Sequence, residues 1–212
     1  SHLDGDFRLR VGMLNPMLVS GRSESMAKAW GDSRTYKFLH LPIQSGSQKI
    51  LNSMVRDHSL EDFWEVVDTF RSYYPEMMII TDVITGFPGE NEEDHQATVD
   101  LLKRLLPDLV NITRFSPRQG TPAAKLKRLN GKIVKDRSRQ LTSLRQDLGA
   151  KSFKRFVGRK TSVLSIESQR PGSTLCRDEN YRPIIVKEEL PLGQLYNVEI
   201  VKSDYAYLTA VV

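Results

Sequence analysis

One alternation constrains this chain more than any other feature. Short apolar runs at FRLRVGML, YKFLHLPI, EMMIITDVITG and DLVNITRF have strand length and strand residues, and each gives way to Pro, Gly or Ser. Helical patterns lie between them. The clearest runs from Leu60 to Tyr74, where Leu60, Phe63, Trp64, Val67, Phe70 and Tyr74 follow an i, i+3, i+4 rule behind a Ser59 cap. Asn91 offers a second cap, and Glu92, Glu93 and Asp94 place negative charge on the first turn of a helix reaching about Leu105. Strands alternating with helices form parallel units with right-handed crossovers. The expected fold is therefore α/β, with about four parallel strands. Four units do not close an eight-stranded barrel, which takes roughly 250 residues, so the sheet is either open or part of a larger TIM-like barrel.

A long basic helical stretch follows from about Lys132 to Phe156, and beyond Gly158 the pattern changes. TSVLSIES, RPIIVKE, LYNVEIVKS and AYLTAVV are strands spaced by turns with no helix between them, which predicts a small all-β barrel. The organisation expected is an α/β unit over 1–156 and a barrel over 157–212. With 212 residues and 39% hydrophobic content, the chain can bury one medium core and a small one. The longest apolar runs, such as Met77 to Ile80, are too short to span a bilayer, and no signal-peptide pattern opens the sequence. A cytoplasmic protein with no membrane partner is expected. The single cysteine, Cys176, excludes a disulfide framework and any multi-cysteine metal site built by this chain alone, and it reads as a lone thiol without function.

Charge is unevenly spread. Between Arg114 and Lys160 stand 15 Lys and Arg against Asp136 and Asp147, a local balance of +13 in a chain whose net charge is +5. Such a block is either a solvated helix face or a surface for a polyanion such as nucleic acid.

In parallel α/β folds ligands sit beyond the carboxyl ends of the strands, so polar residues ending a buried strand are placed to touch them. FLHLPIQSGSQ ends this way, as do NPM at Asn15, TDVITGFPGE from Asp82 to Glu90, and RFSPRQGTPAA from Arg114 to Ala124. Four strand ends then line one rim. The alternative is that Pro and Gly simply turn the chain there.

RVGMLNP, FLHLPIQSGS, TDVITGFPGE and FSPRQGTPAA, in this order and followed by a barrel containing ENYRPIIV, resemble the radical S-adenosylmethionine methylthiotransferases over nearly the whole chain. The resemblance implies that the barrel is a TRAM domain, an RNA-binding module. It also implies that the substrate is adenosine beside the tRNA anticodon, or in one branch an aspartate of a ribosomal protein. RVGMLNP is most similar to the archaeal and eukaryotic branch, whose substrate is threonylcarbamoyl-adenosine. The implied cofactors are S-adenosylmethionine and two [4Fe-4S] clusters. Full-length members hold those clusters with six cysteines in an N-terminal domain and a C-x3-C-x2-C loop, none of which occurs in this chain. Since thiolates are the ligands such clusters need, no metal-ligating residue is assigned here and the chain alone is expected to be inactive. It reads as a C-terminal fragment, half the radical domain plus TRAM, whose first partner is the missing N-terminal part of the same polypeptide. FRLRVGML then becomes an exposed sheet edge through which copies self-associate.

For cofactor or substrate binding, the resemblance implies roles at the rim. Gln44 and Ser45 offer donors and acceptors, Asn15 does the same from the next strand, and Gly86 lets backbone approach adenine. Arg118 grips a carboxylate, of methionine or of the threonylcarbamoyl group. Asp82 is either a ligand or a structural carboxylate, and His40 either a core histidine or a proton carrier. The RNA-binding candidates are Lys151, Lys154, Arg155, Lys160, Arg170, Arg177, Arg182 and Tyr181, which combine cations with an aromatic ring able to stack on a base. Two competing readings are a non-catalytic RNA-binding protein on an α/β scaffold and a metabolic TIM-type enzyme. The second lacks an acid–base pair and a glycine-rich phosphate loop.

Overall fold

The computed structural model describes residues 7–212, apart from the side chains of Gln169 and Arg170. Its elements run α1 (Pro16–Val19), α2 (Ser23–Ala29), β1 (Phe38–His40), α3 (Gln48–Ser53), α4 (Leu60–Tyr73), β2 (Met78–Thr85), α5 (Glu92–Leu105) and β3 (Leu109–Arg114). A 3-10 turn (Pro122–Lys125) and α6 (Gly131–Lys154) follow, then β4 (Lys160–Arg170), β5 (Ser173–Arg177), β6 (Pro183–Val186), β7 (Leu195–Ser203) and β8 (Leu208–Val211).

Capping sets the helix starts. The Ser59 hydroxyl accepts the Asp62 amide at 3.0 Å while the Asp62 carboxylate accepts the Ser59 amide at 2.8 Å, a reciprocal box that fixes the first turn of α4. Asn91 and Asp94 repeat the arrangement at α5. Strands β1, β2 and β3 form one parallel sheet in that order, with Phe38 opposite Met78 and Asp82 opposite Asn111. The five later strands close a barrel in the order β4, β5, β6, β8, β7.

Two expectations need correction. FRLRVGML is not a fourth strand: its pairing is limited to isolated bridges, Leu9 with Thr35 just before β1 and Met13 with His40. Strand β1 is three residues long, so it offers no continuous ladder, and the segment passes directly into α1 at Pro16. The sheet edge is therefore β1 flanked by an irregular segment rather than a long open strand. In the barrel, STLCR forms β5, which sequence reasoning left unassigned because Thr, Leu and Cys are too few to show alternation.

The sheet's two faces feed different cores. Leu39, Ile79, Val83 and Val110 pack on Phe63, Val67 and Phe70 of α4 and on Val99 and Leu102 of α5. On the opposite face Phe38 and Met78 join Phe153 and Phe156, at the end of α6, in one cluster with Val163, Ile184, Val198 and Leu208 of the barrel. The barrel thus plugs the amino-terminal end of that face. Cys176 is buried in this cluster, where burial pushes its thiol up to about 11.

An ion pair fastens the plug. Arg182 is 1% exposed; it donates to Asp178 at 2.9 Å and to the Glu76 carbonyl, with its guanidinium 4.1 Å from the Phe156 ring centroid. Arg182 is therefore a buried clamp, not an RNA contact.

Close backbone approach fixes helix positions as well. A Cβ on Gly46 would lie 2.4 Å from the Ala97 carbonyl oxygen of α5, and one on Gly149 of α6 would lie 2.0 Å from the carbonyl oxygen of Tyr205. Both contacts are backbone, which cannot swing aside. Gly46→Ala is expected to destabilise the fold by about 1–3 kcal/mol in urea unfolding, while Gly131→Ala, where nothing lies within 4 Å and φ is not positive, costs far less. Equal stability of Gly46→Ala and the parent chain would show that α5 does not press on this loop.

Candidate functional site

Beyond the strand ends, the loops after β1, β2 and β3 form a rim. The loop after β1 carries Gln44 at φ +71°, whose amide donates to the Asp82 carbonyl at 2.8 Å and whose carbonyl accepts the Ile84 amide at 2.8 Å. A non-glycine residue held in the left-handed region costs energy and turns its side chain out of the strand's alternation. Gln44 accordingly lines a cleft of about 260 Å³ with Met13, Asn15, Pro42, Arg56 and His58.

The structure brings Asn15 and Gln44 together as expected, although the Asn15 carboxamide also accepts the Met17 amide at 3.1 Å as the cap of α1. Ser45 is placed differently. It is fully buried, with its hydroxyl 3.4 Å from that of Thr98 on α5, because Gly46 draws this loop against the helix. It holds the loop and does not face the rim.

The loop after β2 is a built turn. Gly86 and Gly89 sit at φ +80° and +87°, and the Glu90 carboxylate accepts the Gly86 amide at 2.9 Å. Arg137 of α6 donates to the same carboxylate at 2.9 Å and to Glu92 at 3.0 Å. The space that a Cβ on Gly86 would fill holds Val134 of α6, so the close approach this glycine permits is by α6 and not by adenine. Glu90 and Arg137 were missed as a pair. The available signal was an arginine at helical spacing between Val134 and Leu141, on the buried stripe of α6.

Below the rim, on the face that the barrel plugs at its far end, lies a polar trio. The His40 Nε2 stands 3.1 and 3.0 Å from the two Asp82 oxygens, and the Asn111 Nδ2 donates to Asp82 at 2.7 Å. Burial pushes the Asp82 carboxyl up, but the hydrogen bonds from His40 and Asn111 outweigh it and hold the group below the usual carboxylate range. Asp82 is thus an ionised acceptor at neutral pH, and His40 is its partner rather than an isolated core residue. Period-2 alternation puts Ile84 and Thr113 above the trio, where a larger cleft of about 540 Å³ opens. Arg118 lines that cleft with Arg56, Arg114, Phe87 and Phe115.

The RNA candidates divide. Lys151, Lys154, Arg155 and Lys160 are exposed around the end of α6. Arg177 stacks 4.2 Å over Tyr181 and donates to its carbonyl at 2.9 Å, and Tyr181 packs edge-on against Tyr36 and Phe38, so this ring is spent inside the protein. The side chain of Arg170 lies outside the described residues. The basic block is also less free than its count: Arg137 is buried on Glu90, and Arg159 pairs with Glu76 at 3.0 Å. Among the described residues no cluster of His, Cys, Asp and Glu could hold a metal ion, and no helix is long and apolar enough to cross a membrane.

Comparison with known proteins agrees with this geometry. Residues 8–102 match the model of the Radical SAM superfamily. By fold, the chain is similar to coproporphyrinogen III oxidase of Escherichia coli, a radical SAM enzyme, with a TM-score of 0.54 at 15% identity over 67% of this chain and 32% of that one. The chain therefore carries a radical SAM match over residues 8–102. By sequence, a probable threonylcarbamoyladenosine tRNA methylthiotransferase of Archaeoglobus fulgidus is 42% identical over 98% of this chain and 49% of its own length. The human threonylcarbamoyladenosine tRNA methylthiotransferase is 34% identical over 94% of this chain and 34% of its own. The chain spans about half the length of the archaeal relative, or less of the human one.

Because the folded Asp82 carboxyl titrates below its ordinary value, its hydrogen bonds stabilise the protein above that ordinary value, about pH 4, and are lost as pH falls through the lower folded one. Asp82→Asn is therefore expected to destabilise by about 1–3 kcal/mol at pH 7, with the gap to the parent closing as pH drops below about 4. A gap that stays constant from pH 7 to pH 3 in chemical denaturation would contradict the ionised trio.

Proposed function

We propose that this chain forms the substrate rim and the RNA-binding module of a methylthiotransferase acting on threonylcarbamoyladenosine in the anticodon region of tRNA. The observation that carries the reading is the 42% identity, over 98% of the chain, to a protein of that name. The rim supports it: Gln44 and the Asp82 trio offer fixed hydrogen-bonding groups to a nucleoside or to S-adenosylmethionine at the strand ends, where parallel α/β folds bind ligands. In radical SAM proteins S-adenosylmethionine and an iron–sulfur cluster supply the radical chemistry. The residues of this chain position and enclose. Its one cysteine is buried in the barrel with its thiol favoured over thiolate, which does not fit a cluster ligand, so we assign both expected clusters to thiolates outside this sequence.

We take 1–156 as the radical SAM part and 157–212 as a TRAM-like barrel. RNA then approaches along Lys151, Lys154, Arg155 and Lys160, which flank the junction of α6 and the barrel. Exposed Leu9 and Met13 beside β1 leave apolar surface through which two copies can associate, or against which the rest of a longer polypeptide can pack. A ribosomal-protein substrate has no specific observation in its favour.

Binding to an anticodon stem–loop RNA tests the assignment. If roughly four to six phosphates are neutralised, log affinity falls against log salt with a slope of about −3 to −5. Replacing Lys151, Lys154 and Arg155 with Ala is expected to flatten the slope by about 2–3, whereas Gln44→Ala leaves it unchanged because a neutral side chain releases no counterions. Undetectable binding at low salt would refute the RNA assignment.

A further inference from the structure

The larger rim cleft has a composition that the general reading does not explain. Three arginines, Arg56, Arg114 and Arg118, line its roughly 540 Å³, and no Asp or Glu does. None of the three forms an ion pair or a cation–π contact among the described residues, in contrast to Arg137, Arg159 and Arg182, each held by a carboxylate. Three arginines without an ionic partner lining one concave surface make it positive and favour an anion there.

The rest of the cleft is apolar and aromatic. Phe87 and Phe115 meet edge-to-face with centroids 5.0 Å apart, and Ile84, Met54 and Val55 complete the wall. Phe87 is 3% exposed and anchors the pair, leaving the half-buried Phe115 ring toward the cleft. Val55 carries a second oddity. It is β-branched, 74% exposed and held at φ +56°. It ends α3 in the left-handed position of a helix C-cap, its amide donating to the Asn52 carbonyl at 3.0 Å and the Arg56 amide to the Leu51 carbonyl at 3.0 Å. It sets the direction of the adjacent Arg56, which also lines the smaller cleft beside Gln44, so one side chain stands between the two hollows.

Apolar and aromatic walls suit a planar base, and a cluster of forked cations suits a compact carboxylate carried on it. We propose that this cleft is a specificity pocket that selects an adenosine whose N6 substituent ends in a carboxylate, with Arg118 and Arg114 on the carboxylate, Arg56 at the divide, and Phe115 against the base. The proposal rests on the tRNA reading and deepens it: it says which residues tell the already modified base from plain adenosine. The three arginines are exposed, so the discrimination expected is that of a charge-assisted contact at the surface, about tenfold rather than the larger ratios of a buried site.

Two other anions could occupy the same charge, an RNA phosphate and the carboxylate of S-adenosylmethionine, and the experiment separates them. The 212-residue chain is titrated with two anticodon stem–loops of one sequence, carrying either N6-threonylcarbamoyladenosine or adenosine at the same position, with and without saturating S-adenosylmethionine. The expected result is about tenfold tighter binding of the modified RNA, unchanged by S-adenosylmethionine. In the Arg114→Ala/Arg118→Ala double variant the preference is expected to fall to within about twofold while affinity for the unmodified RNA changes little. Arg118→Lys, which keeps the charge but not the fork, is expected to retain only part of the preference. Equal affinity of the parent chain for both RNAs overturns the pocket while leaving the RNA reading intact, as does an equal loss for both RNAs in the double variant, which marks a phosphate contact. Loss of the preference on adding S-adenosylmethionine assigns the arginines to the cofactor and also overturns it. Failure of the parent chain to bind either RNA removes the underlying reading itself.

Discussion

The buried guanidinium of Arg182 is the contact on which the arrangement of the whole chain depends. A cation taken out of water costs several kcal/mol unless it is paired, and here Asp178 and the Glu76 carbonyl take its two terminal nitrogens and the face of Phe156 covers it, while its Nε is left without an acceptor. Asp178 and Arg182 belong to the barrel, Glu76 to the turn between α4 and β2, and Phe156 to the end of the α6 segment. One side chain therefore ties three parts of the sequence at a point where none has a complete core. The surrounding apolar cluster draws Phe38 and Met78 from the sheet and Val163, Ile184 and Val198 from the barrel, so neither unit closes its hydrophobic surface alone. Removing one partner of such a pair leaves an uncompensated charge, at a cost of about 3–5 kcal/mol.

Helix α6 converts that joint into a functional geometry. Its 24 residues span about 36 Å at 1.5 Å per residue. Near its start Val134 fills the space beside Gly86 and Arg137 holds Glu90, so the turn after β2 is shaped by this helix. Near its end Gly149 presses on the Tyr205 carbonyl and Phe153 enters the shared core, while Lys151 and Lys154 face solvent. The rim and the basic surface are thus two ends of one rod. Under the proposed function, an RNA gripped at one end is presented to the other at a fixed distance, as work on a single base of a folded RNA requires.

The long elements were legible in the sequence because their signals are local. Ser59 and Asn91 announce α4 and α5 through cap chemistry, and the apolar stripe of α4 gives its length. The rim was legible as a place, since strands here end in polar residues, and Asn15, Gln44 and Arg118 line the clefts there, whereas Asp82 lies below them with His40 and Asn111. What stayed hidden was long-range. ENYRP reads as a basic and aromatic motif suited to RNA, yet Arg182 is buried against Glu76 and Tyr181 is half-buried against Phe38, contacts over a hundred positions away in sequence. Ser45 reads like Gln44, and only the approach of Ala97 to Gly46 decides that one turns inward and the other outward. FRLRVGML has strand composition but meets a β1 only three residues long, too short to pair with it continuously.

The central claim is that sheet, α6 and barrel form one cooperative unit through the shared core and its buried ion pair. Differential scanning calorimetry of the chain tests this most directly. The account predicts a single transition whose calorimetric and van't Hoff enthalpies agree, and in Arg182→Ala a lower transition temperature with separation into two transitions. Two independent transitions in the unmodified chain, or an unchanged profile for Arg182→Ala, would contradict it.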